Sequence, residues 1–95
     1  MTRSVQSRLN EAKKALMQSQ FAQAVSLCKE CLSGNDNTLT DRECLYLMAV
    51  ALRMAKEPAQ ALPVLDRLLI AFPDYGRGYQ EQGYCFKALQ KGREM

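Results

Sequence analysis

Cys28-Lys29-Glu30-Cys31 is the one spelling in this chain with the look of redox or metal chemistry. Two thiols at this spacing can form a redox pair or supply half of a zinc site. A redox pair normally sits at a helix N-terminus beside a strand, where the dipole lowers a thiol pKa. Here the apolar spacing puts both cysteines at the far end of a helix. A structural zinc ion takes four ligands. The chain has no His and four Cys, so Cys44 and Cys85 would have to complete the set. A buried Cys behaves as a small hydrophobe, and both thiols fall on inward positions. The expectation is structural thiols, no metal and no cofactor.

Nothing else spells catalysis. There is no glycine-rich phosphate loop, no Ser/His/Asp arrangement and no paired-carboxylate pattern. The missing His removes the usual general base and the usual switch near neutral pH. Gly76-Arg77-Gly78 reads as a loop before a helix; an anion can sit at such a place, but a plain turn explains it. No catalytic residue is expected.

The totals suit one small globular domain: 95 residues, 47% apolar, 24% charged and a net charge of +3. That charge permits an acidic partner without demanding one. Residues 1–14 contain no apolar stretch of the kind a secretory signal needs, and four Cys without one suggest reduced thiols in a cytoplasm. The chain starts with Met and stops at Met95 within a pattern, which suggests a piece of a longer protein.

The elements that would position these residues are helices. Cys44 to Leu52 is apolar nearly all round, which predicts a central helix covered on more than one side. Thr40-x-x-Glu43 spells a capping box before it, and the helix should run to about Ala55. Upstream, Val5, Leu9, Ala12 and Leu16 form one apolar face, and Phe21, Ala24, Val25, Cys28, Cys31 and Leu32 form another. Gly34 to Thr38 reads as a turn, with Gly34 as a left-handed helix cap. Lys56-Glu57-Pro58 is the next turn, with Pro58 opening a helix that Pro73 ends. Pro63 lacks a donor and should loosen or bend that helix's first turn. A fifth helix is predicted from Arg77 to about Gln90. No strand alternation and no linker are visible.

A period joins these helices. Leu45, Met48, Ala49 and Leu52 are followed thirty-four residues later by Tyr79, Gln82, Gly83 and Phe86. Ala61, Leu65 and Leu68 continue the second unit, and Pro73 closes it. This resembles the tetratricopeptide repeat, which alternates large and small residues on two helices per unit. The first unit matches mainly through Phe21, Ala24, Cys28 and Cys31, since Arg8, Glu11, Ala12 and Ala15 fill its first helix. Ala24 to Ala61 spans thirty-seven residues, so the loop after the first hairpin is about three longer than standard.

The resemblance implies an all-α helical-hairpin solenoid, five helices in a right-handed array. The units would be about 4–37, about 41–74 and a partial one at about 76–95, within a single domain 1–95. Small residues at Ala24, Ala49, Ala61 and Gly83 would let helices approach, while Leu52, Leu65 and Phe86 fill the space between hairpins.

The resemblance also implies a non-catalytic scaffold that binds a peptide or protein segment on a concave face. The residues carried over to that face are Lys13, Leu16, Met17, Tyr46, Val50, Arg53, Met54, Gln80, Tyr84 and Lys87. Family members that clamp a C-terminal carboxylate have Lys and Asn where this chain has Leu9 and Lys13, which points away from that ligand. Neither nucleic acid nor a membrane is expected as a partner. An RNA-binding repeat is an alternative, but it needs a basic stripe that these dispersed charges do not form. Residues 73–83 are also similar to repeats preceding a sulfotransferase domain in some bacterial proteins, so the array of a larger bacterial enzyme is another alternative. The last helix lacks a companion in the pattern, which would let the open end pair two copies.

Overall fold

The computed structural model describes residues 5–32 and 37–94. It contains five helices: α1 (Val5–Met17), α2 (Phe21–Cys31), α3 (Leu39–Met54), α4 (Pro58–Ala71) and α5 (Gly76–Glu94). No strand occurs among the described residues. The Gly34 cap lies outside them.

Each helix packs against the next in sequence, and α3 also meets both α1 and α5. Among the described residues, α2 and α4 do not approach one another in the same way. The odd helices therefore stand closer together than the even ones. A two-layer array with that asymmetry curves, with α1, α3 and α5 on its inner side. The extents, 50 × 29 × 17 Å, fit a layer about two helix diameters thick.

The cover on α3 matches its apolar sequence. Cys44, Leu45, Leu47, Met48, Ala49 and Ala51 are all buried. Leu9, Ala12, Cys28, Cys31, Cys44, Leu47 and Met48 form one core cluster. Leu45, Ala49, Ala61, Leu65, Leu68 and Cys85 form a second. Ala49 and Ala61 are fully buried in that cluster, where a larger side chain would hold α3 and α4 apart.

The backbone repeats as well. The α1–α2 turn bonds Ser19 N–H to the Leu16 carbonyl (3.1 Å) and Gln20 N–H to the Ala15 carbonyl (2.8 Å). The α3–α4 turn bonds Lys56 N–H to the Arg53 carbonyl (3.0 Å) and Glu57 N–H to the Leu52 carbonyl (2.9 Å). Ser19 and Lys56 take φ of 61° and 67°, the left-handed conformation that closes such a turn. The offset equals that between Ala24 and Ala61, so sequence register and turn geometry agree.

Two local expectations are corrected. The capping box of α3 is Thr38 with Asp41, not Thr40 with Glu43. Thr38 Oγ1 accepts from Asp41 N–H at 2.9 Å, and Asp41 Oδ2 accepts from Thr38 N–H at 3.2 Å. Two boxes are spelled two residues apart, and the upstream one wins while burying Asp41 completely. Second, Gly76-Arg77-Gly78 is the first turn of α5 rather than a loop, and the helix continues past Gln90. Gly78 is buried there, and a Cβ on it would lie 2.8 Å from Leu69 Cδ2. Pro63, expected to loosen or bend the first turn, lies within the continuous helix α4. Pro63 and Ala59 are both exposed, so water can reach the Ala59 carbonyl that loses its donor.

Phe86 is a correction of packing. It was expected to fill space between hairpins, yet it is 55% exposed, and Tyr79 is 49% exposed. A Cβ on Gly83 would meet nothing within 4 Å. In the second unit the equivalent Ala49 is fully buried in the cluster it shares with Ala61 of α4; among the described residues no helix lies in that place against α5.

Candidate functional site

The residues expected to bind a partner lie on α1, α3 and α5. Lys13 and Met17 of α1 are exposed, Met17 at 86%. Leu16 is half-buried between the two core clusters that contain α1 residues. Tyr46, Val50 and Arg53 of α3 are half-buried, and Met54 is exposed. Gln80, Tyr84 and Lys87 of α5 are exposed.

Two of these residues are joined through a third. The Arg53 guanidinium forms a two-point ion pair with Glu81: Nε donates to Oε2 and Nη2 to Oε1, the latter at 3.2 Å. The same guanidinium lies 5.1 Å from the centroid of the Tyr84 ring. The hydrogen bond to Glu81, with that carboxylate's charge, holds Arg53 above its ordinary pKa despite partial burial. Arg53 therefore ties α3 to α5 and lies against the exposed Tyr84 ring.

Sequence reasoning missed a second group. Arg42 lies over the Tyr75 ring at 4.6 Å, Tyr75 meets Tyr46 edge to face at 5.9 Å, and Arg77 lies 6.0 Å from the Tyr46 ring centroid. Only Tyr46 was expected at the site. Arg42 and Tyr75 are thirty-three positions apart and meet only when the α4–α5 turn packs against α3, so no local spacing announces them.

The thiols sit inward. Cys28, Cys31, Cys44 and Cys85 are all buried and unbonded to one another as disulfides. Burial, with some repulsion from Cys31, pushes the Cys28 thiol up to about 12. Burial likewise raises Cys44, Cys31 and Cys85. Thiols held protonated are poor nucleophiles and poor metal ligands. Among the described residues no group of three or more His, Cys, Asp or Glu is placed to hold a metal ion. No described helix is long and apolar enough to cross a membrane.

The pattern of the family described as Tetratricopeptide repeat matches residues 15–81. The match starts near the end of α1, whose residues are the weakest fit to the repeat, and ends within α5. No curated protein and no solved structure matches the chain.

Proposed function

The chain belongs to the tetratricopeptide repeat family, and from this premise we propose that it is a protein-interaction module that takes a peptide or protein segment on the inner face of α1, α3 and α5. Repeats of this family generally mediate protein–protein interaction and are typically non-catalytic. The observation that carries the reading is the closer spacing of the odd helices, which turns their shared face into a trough. Met17, Met54 and Tyr84 are exposed on these helices, as are Lys13 and Lys87, and this reading takes them as the lining of that trough. Methionine adapts to varied surfaces, and a tyrosine lying against Arg53 loses little freedom on binding.

Tyr84→Ala combined with Lys13→Glu is the direct test. Both side chains are exposed, so the fold should survive, as the far-UV spectrum would report. Loss of partner capture supports this face; unaltered capture by the folded variant moves the site to the outer face or the ends.

A second reading concerns the face of α5 around Tyr79, Gly83 and Phe86. Its exposure favours pairing between two copies through this end, an isologous contact. Sedimentation across the micromolar range should show association that Phe86→Ser weakens; a strict monomer throughout would remove this reading.

A further inference from the structure

We propose that the row Arg42–Tyr75–Tyr46–Arg77 is an oxyanion anchor that receives an acidic side chain of a bound peptide segment. The proposal rests on the reading of the inner face as the partner surface, and it adds the partner's chemistry.

Two atoms of the row are left over. Arg42 Nε and Tyr75 Oη are buried and make no hydrogen bond of normal geometry; the Arg77 guanidinium within reach of Tyr75 Oη can only donate to it and leaves the phenol hydrogen uncommitted. A buried polar group without a partner costs free energy, so the arrangement gains when a ligand supplies one. Arg42 Nε can only donate. Tyr75 keeps its proton near neutral pH, because burial and then the Glu43 carboxylate raise its pKa against the pull of Arg42 and Arg77. It too has a hydrogen to give. A group with two acceptor oxygens on one centre, a carboxylate or a phosphate, answers both donors and meets a guanidinium as well.

The space agrees. A pocket of about 270 Å³ opens beside the pair, lined by Arg42, Phe72, Pro73, Asp74 and Tyr75 among others. That falls below the usual size of a small-molecule site, roughly 300–1,000 Å³, and suits a single side-chain head group. The charged groups at the pocket and its Tyr75 wall are Arg42 and Arg77 with the carboxylates Glu43 and Asp74. Glu43 reaches only Nη2 of Arg42, at 3.5 Å, and Glu81 is committed to Arg53. Neither Glu43 nor Asp74 occupies Arg42 Nε, which is left to an acidic segment.

The rings give the anchor its stiffness. Tyr75 and Tyr46 are held edge to face, at 87° between planes, with a guanidinium at each end of the pair. An acceptor arriving at Arg42 and Tyr75 therefore meets donors already in place.

The test is a titration of the isotope-labelled chain with a hexaglutamate peptide, a phosphoserine-containing peptide and a hexalysine control, followed by NMR. Shifts should gather at Arg42, Tyr46, Tyr75 and Arg77 with the acidic probes and not with hexalysine. Arg42→Gln should weaken binding about tenfold, the scale of one charge-assisted hydrogen bond. Tyr75→Phe keeps the ring and its packing, and should weaken binding severalfold. Tighter binding of the phosphoserine peptide would assign phosphate, and tighter binding of hexaglutamate would assign carboxylate. Acidic peptides that shift Met17 and Tyr84 but ignore both substitutions would overturn the anchor and leave the partner face standing. No shift on α3 or α5 with either acidic probe would also overturn it.

Discussion

Arg53 of α3 holds Glu81 of α5 through both carboxylate oxygens, and the two ends of this pair are unequally buried. The Arg53 side chain keeps 29% of its exposure, whereas Glu81 keeps 2%. Removing Arg53 strands a buried carboxylate, but removing Glu81 leaves a guanidinium that water can reach. Arg53→Ala should therefore cost about 3 kcal/mol, the scale of a broken buried pair, and Glu81→Ala clearly less. Denaturant melts of both variants check the order. The pair also makes Arg53→Glu a poor probe of binding, because it sets two carboxylates against each other.

The start of α3 separates two cap assignments. Thr38→Ala should destabilise the chain by about 1 kcal/mol, the usual cost of a lost N-cap, while Thr40→Ala should be nearly neutral. Thermal melts of the two variants decide between them.

Most of the fold was legible because its periodicity is local. The five helices, the inward thiols and the tight Ala49 and Ala61 positions all follow from spacing within a helix. The α3 cap was misread because Thr38-x-x-Asp41 and Thr40-x-x-Glu43 are equally good spellings, and burial of Asp41 chooses between them only after packing. The partner face remains a proposal that rests on the family pattern, since no local spacing marks it. The Arg53–Glu81 and Arg42–Tyr75 pairs were not legible at all, since each joins residues about one repeat apart that meet only in the folded array.

Ala49 reports the packing register. Ala49→Leu places a larger side chain in the core cluster shared by α3 and α4, and should cost about 1–3 kcal/mol by overpacking. Lys14→Leu, on the exposed side of α1, should stay within about 0.5 kcal/mol. Equal melting shifts for the two would contradict the close approach.

The buried thiols set a pH limit. Cys28 is raised from 9.0 to about 12 in the folded chain. Above pH 9 the unfolded chain loses this proton and the folded chain keeps it. Stability is therefore fully present below pH 9 and falls as pH rises toward 12, by up to about 1.4 kcal/mol per pH unit for one such thiol. Cys28→Ala should start less stable and show a shallower decline between pH 9 and pH 10.5. An identical slope in parent and variant would mean that Cys28 is not protected as described.

The inner face is the central claim, and site-specific photo-crosslinking tests it most directly. A photoreactive side chain placed at Met17 or Tyr84 lies on that face, and one placed at Ile70, 82% exposed on α4, lies outside it. With the chain expressed in its own cells, the account expects one crosslinked protein band from Met17 and Tyr84, displaced by excess unlabelled chain, and none from Ile70. The same band from Ile70 alone, or equally from all three positions, would contradict it.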